Sequence, residues 1–140
     1  MANIQYVYGL IIPTPVTAGH IILDVSTPDT SSTDLYSVGI FNSVGSLVAH
    51  ISPQAFTSPG VQTPIALQEG TVTFPPGKYY LGLTGEAAAL KLSSIAPALI
   101  PLAATSEGMT TGGAQITSFS PPADSWVATS SSEPVVALAP

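Results

Sequence analysis

Cysteine is absent from these 140 residues. That excludes a disulfide framework, a thiolate nucleophile and thiolate-ligated zinc. Nothing here depends on thiol oxidation, so the redox compartment stays open. Positive charge is nearly absent as well: Lys78 and Lys91 stand against eight carboxylates, for a net charge of −6. Two lysines cannot neutralise a run of phosphates, which excludes direct binding to nucleic acid. The same shortage argues against docking on an anionic membrane.

Charge of either sign is scarce. Only 7% of the residues carry one, where an ordinary domain has about one-quarter. Low charge does not mean disorder in this chain, because 45% of it is hydrophobic and the apolar residues fall in strand patterns. Solubility must rest on Ser, Thr, Gly and Pro. A monomer with so little surface charge would adhere to itself, so its apolar surface is expected to be covered in a defined assembly. Uninterrupted apolar runs are missing too. The greasiest stretch, 87–104, contains Lys91, Ser93, Ser94, Pro97 and Pro101, a poor composition for a membrane span. The amino terminus shows no secretion signal, lacking a cationic region, an apolar run and a cleavage site.

What is present reads as strands. Residues 4–12 are β-branched and aromatic and stop at Pro13, as a strand should. In 20–26, Ile21, Leu23 and Val25 share one face while His20, Ile22 and Asp24 share the other. Residues 27–34 form a Thr/Ser/Asp-rich loop. Tyr36-Ser-Val-Gly-Ile-Phe follows, with Tyr36, Val38 and Ile40 inward, and Asn42-Ser-Val-Gly45 turns the chain back into 46–51. Strands are expected at 61–67 and 71–74, with a turn at Gln68-Glu-Gly70. Pro75-Pro76-Gly77 precedes an aromatic strand, 78–84, which places Tyr79, Leu81 and Leu83 on one face. After a turn at Gly85-Glu86, residues 89–93 are expected to pair back onto that strand. Residues 95–113 read as loop, 114–119 as a strand, 120–133 as an irregular arm around Trp126, and 135–138 as a closing strand beside the first.

Eight or more short strands with turn signals about every ten residues imply a single all-β domain over 1–140, an antiparallel β-sandwich of jelly-roll type.

Candidate chemistry is sparse. No serine lies in a Gly-x-Ser-x-Gly elbow, and His20 and His50 are the two available imidazole bases. His20 and Asp24 share a face but lie about 13 Å apart along the strand, too far for a direct dyad. They read as ordinary polar strand residues. Asp29, Asp34, Glu69, Glu86 and Glu107 fall in loops or turns and are expected to be solvated. Asp29 and Asp34 flank an oxygen-rich loop that could hold calcium, but without EF-hand spacing, so no metal is assigned. No cofactor, catalytic set or enzymatic activity is expected.

Aromatic residues are the remaining material. Tyr36 and Tyr79 are assigned to the core. Trp126, Tyr6, Tyr8 and Tyr80 are the candidates for an interface, where a ring can anchor a neighbour or stack on a sugar. Trp126 folded back over its own domain is an equal alternative.

The order of an apolar strand, Tyr36-x-Val-Gly-Ile-Phe, a turn, Leu47-Val-Ala and Pro76-Gly-Lys-Tyr-Tyr-Leu-Gly-Leu83 resembles the small β-jelly-roll modules of tailed bacteriophages. Such modules occur in tail fibres and as standalone capsid decoration or head-fibre proteins. The resemblance covers 4–84, with a weaker echo in Val135-Val-Ala-Leu138. It departs from the pattern at Ser37, where a basic residue often stands. It implies a non-enzymatic, homotrimeric virion protein made in the host cytoplasm. A short chain starting at Met1 favours a decoration protein that cements capsomers, with the major capsid protein or another virion protein as partner. The alternative is a receptor- or glycan-binding module of a tail fibre or tail tip, for which the Trp126 region is the visible platform.

Overall fold

The computed structural model describes residues 4–85, 89–95, 133–134 and 136–140. Among them the chain is all β, with antiparallel pairing throughout. The strands are β1 (Ile4–Ile12), β2 (Val16–Ala18), β3 (His20–Thr27), β4 (Tyr36–Asn42), β5 (Leu47–His50), β6 (Gly60–Val61), β7 (Ile65–Ala66), β8 (Val72–Phe74), β9 (Gly77–Gly85), β10 (Lys91–Leu92), β11 (Ser94–Ile95), β12 (Glu133–Pro134) and β13 (Val136–Ala139).

One layer is a four-stranded sheet in the order β1-β9-β4-β5. At its centre, Val38 lies opposite Leu83 and Ile40 opposite Leu81. The β4–β5 hairpin closes where Asn42 predicted it. Gly45 adopts φ 83°, and Asn42 Oδ1 accepts from the Val44 and Ser46 amides at 3.1 and 3.0 Å. A side-chain acceptor in that position replaces the backbone partners a tight turn leaves unmade.

The second layer is organised on β3. Val25 pairs with Gly60 on one edge and Leu92 on the other. Ile21 pairs likewise with Ile65 and Leu138. Strands β6 and β7 therefore line one edge of β3, and β10 and β13 line the opposite edge. The period-two pattern of β3 sends Ile21, Leu23 and Val25 into the interior, where each is at most 1% exposed. There they meet Tyr36, Val38, Ile40, Tyr79 and Leu81 from the first layer, together with Ile51, Phe56, Leu67 and Phe74. The result is an antiparallel sandwich with its core between the layers. Edge-to-face packing of Phe74 on Tyr79, with ring centroids 5.8 Å apart and an interplanar angle of 80°, fixes one end of that core.

Strands β4 and β9 are also covered on the face turned away from the core. Ser37, Phe41 and Thr84 are fully buried there, and Tyr80 is nearly so. The alternation expected of a half-solvated strand is absent from these two, which read instead as strands buried on both sides.

Several pairings differ from expectation. The 89–93 segment does not answer β9, because both edges of β9 are already occupied by β1 and β4. Its strand β10 pairs with β3 instead. The closing strand β13 also joins β3 rather than β1. The expected strand over 61–67 is broken into β6 and β7, with Leu67 adding an isolated bridge to Ile51. Strand β2, paired with β8, occupies residues that the sequence marks only by the end of a proline bend. Ile95, expected to open a loop, pairs with Glu133, and Ser94 beside it pairs with Pro134. The expected strand at 114–119 and nearly all of the arm at 120–133 lie outside the described residues.

Candidate functional site

Two side-chain clusters hold the titratable groups that the fold brings together. The first is built on the 28–35 loop. Asp29 sits in an Asx turn, its Oδ1 accepting from the Ser31 amide at 2.9 Å, while its own amide donates to the Phe56 carbonyl at 3.0 Å. Oδ2 accepts from the Tyr36 hydroxyl at 2.5 Å. Asp29 is 4% exposed, so the solvated loop carboxylate expected from composition is instead a buried acceptor. The Tyr36 hydroxyl and the Ser31 amide hold its carboxyl below the usual range. Tyr36 shifts the opposite way: burial, the bond to Asp29 and the negative charge of Asp29 and Asp34 push its hydroxyl well above its usual value. Each Asp29 oxygen thus accepts one of these donors.

The second cluster joins β5 to the turn before β8. Gly70 at φ 76° makes that turn tight, and it carries Glu69 back against His50. Glu69 Oε2 accepts from the His50 amide at 2.9 Å, and Oε1 accepts from His50 Nδ1 at 2.5 Å. The side chains are 26% and 31% exposed. An imidazole oriented through Nδ1 by a carboxylate is the base-and-orienter half of a hydrolytic site. A nucleophile is the missing half: among the described residues no hydroxyl is bonded to His50. The pair acts as a clasp in which one carboxylate satisfies a strand-edge amide and holds the ring. The sequence gives His50 as an available base and Glu69 as a solvated turn residue. Nothing in their 19-residue separation signals the contact, which exists because the Ile51–Leu67 bridge brings the two segments together.

The other imidazole is placed differently. His20 Nδ1 donates to the Pro140 main-chain oxygen at 2.8 Å, tying the end of β13 to the start of β3. His20 and Asp24 lie four positions apart on one face of β3, as expected, and make no direct dyad.

Of the interface candidates, Tyr80 requires correction. It is 4% exposed, on the face of β9 opposite the core, with the Lys78 ammonium 5.1 Å from its ring centroid. A ring held under a cation and buried by its own chain is no open stacking platform. Tyr6 and Tyr8 lie on β1, opposite Leu83 and Leu81 of β9. Trp126 lies outside the described residues.

Comparison with protein-family models, with curated proteins and with solved structures finds no match to this chain. Among the described residues no helix is long and apolar enough to cross a membrane.

Proposed function

We propose that this chain is a structural protein of a tailed-phage virion, a decoration protein that clamps capsomers and performs no catalysis. The observation that carries the reading is the placement of the two phrases behind the phage-module resemblance. Tyr36-x-Val-Gly-Ile-Phe becomes β4 and Gly77-Lys-Tyr-Tyr-Leu-Gly-Leu83 becomes β9, and the two pair in continuous register from Tyr36–Gly85 to Asn42–Tyr79. They form the doubly buried centre of the sandwich. A scaffold of this kind resists mechanical load through many ladder bonds and two covered faces. The near-absence of cations and the low share of charged residues, 7%, fit a subunit whose exterior is covered by neighbours. In this role, copies associate with one another and with the capsid surface, through contacts of ordinary size, about 1,600 Å² in total.

The test is the distribution of the protein over purified particles. Quantitative mass spectrometry of separated heads and tails is expected to find it on heads in fixed proportion to the major capsid protein. Recovery on tails alone would replace this reading with the receptor-binding one.

A further inference from the structure

The solvent face of the β3 sheet is self-complementary, and we propose that it is a twofold contact between two copies of this chain. Along β3 that face presents His20, Ile22 and Asp24, all half-buried. Register places Val61 beside Asp24, Ala137 beside Ile22 and Ala66 beside His20. Val61 is 72% exposed, the most exposed large hydrophobic residue among those described, and Ala66 and Ala137 are exposed with it. The patch therefore has an apolar centre, an imidazole at one end and a carboxylate at the other.

A twofold axis lying between two such faces and crossing β3 at Ile22 reverses the strand direction of the second copy. Ile22 then meets Ile22 and Ala137 meets Ala137. His20 of each copy meets Asp24 of the other, pairing as imidazolium and carboxylate through Nε2–H, because Nδ1 is taken by Pro140. Because β6 and β7 line the same edge of β3, Val61 of each copy meets Ala66 of the other, a large side chain over a small one. Facing positions that alternate in this way interdigitate without voids. A twofold along the strands would keep them parallel, place Asp24 on Asp24 and carry Val61 across to the β10 and β13 edge, losing both complementarities. Charge and shape thus select the same operator, and it is a twofold rather than the threefold expected from the phage resemblance. One strand flanked by three short ones makes a patch well below the ~800 Å² per partner of a standard interface, so the contact is weak in the free protein and gains strength when copies are held together. It stands on the chain alone, whether or not the virion reading holds.

The absence of cysteine makes the test clean. Ile22→Cys is treated with a short bis-maleimide matched to the ~10 Å between stacked sheets. Val44→Cys, 68% exposed on the tip of the other layer's hairpin, reports random collision. Ile22→Cys is expected to give covalent dimer about tenfold faster than Val44→Cys, because paired thiols see a raised effective concentration. Adding Asp24→Lys should slow the reaction, and adding His20→Glu to that variant should restore it. Val61→Asp, which disturbs no hydrogen bond, should slow it independently, with thermal melting confirming that each variant is folded. Equal rates for Ile22→Cys and Val44→Cys overturn the contact. A rate indifferent to Asp24→Lys in a folded protein overturns the His20–Asp24 register.

Discussion

The Tyr36 hydroxyl reaches Asp29 Oδ2 at 2.5 Å from the first residue of β4, joining residues seven positions apart with one charge-assisted bond. The same tyrosine ring packs on Phe56, centroid to centroid 6.4 Å, and its backbone pairs with Gln54. One residue therefore joins a loop, a strand and the 51–56 connection.

That bond makes stability depend on pH at both extremes. The folded-state pKa of Asp29 is lowered, so its contribution is present above the ordinary carboxylate value and is lost as pH falls below it. The folded-state pKa of Tyr36 is raised, so its contribution is complete below the ordinary phenol value and is lost as pH rises above it. Tyr36→Phe removes the alkaline dependence and the tyrosine's share of the acid one, leaving the share of the Ser31 amide. The stability difference between wild type and Tyr36→Phe, from urea denaturation, should be constant between about pH 5 and pH 9. It should narrow below about pH 4 and above about pH 10. A difference that is flat across the whole range would mean that the bond contributes nothing in solution.

The Glu69–His50 clasp predicts a smaller effect. Glu69→Ala strands the His50 amide at the sheet edge and frees the ring, but both side chains are partly solvated and water replaces part of the loss. The expected cost is about 1 kcal/mol. Glu69→Gln keeps one amide oxygen as acceptor and should lose less. Urea midpoints of the two variants check the order, and amide exchange at His50 should rise in Glu69→Ala ahead of the rest of β5.

How far all this was legible follows from the range of the interactions. The β3 and β4 strands, their inward faces and the Asn42–Gly45 turn are encoded within a few residues, by period-two apolar spacing and by turn chemistry, and they appear as read. The pairing of β10 and β13 with β3 is set by which edges remain open once β1 and β4 have flanked β9, a global condition that no local window carries. Tyr80 shows the same limit. Its position beside Lys78 looks like an exposed strand end, and only the covered second face of β9 buries it. The candidate clusters were least legible: Asp29 and Glu69 look like any loop carboxylate until the fold supplies Tyr36 and His50.

The core predicts a large and specific loss at Phe74. This ring is fully buried and stands edge-on to Tyr79, whose hydroxyl donates to the Pro75 carbonyl at 2.6 Å. Phe74→Ala should cost about 3–5 kcal/mol, whereas Phe74→Leu, which retains most of the volume, should cost less than half of that. Chemical denaturation supplies the values. A Phe74→Ala protein within 1 kcal/mol of wild type, on that ~3–5 kcal/mol scale, would place the ring outside the core.

Two glycines separate backbone strain from crowding. Gly70 lies at φ 76° with nothing within 4 Å of an added Cβ, so Gly70→Ala meets no neighbour and pays only for the left-handed backbone, about 1–2 kcal/mol. Gly19 is the reverse. Its φ is not positive, and an added Cβ would meet Thr71 Oγ1 at 3.5 Å, an ordinary contact. Gly19→Ala should therefore be neutral, or stabilising by about 0.4–1 kcal/mol through loss of unfolded-state entropy. Because Gly70 also aims Glu69 at His50, the double variant Gly70→Ala/Glu69→Ala should lose less than the sum of its parts. Additive losses in a double-mutant cycle would show that the clasp forms independently of the turn, and that the geometry of Gly70 serves the turn alone.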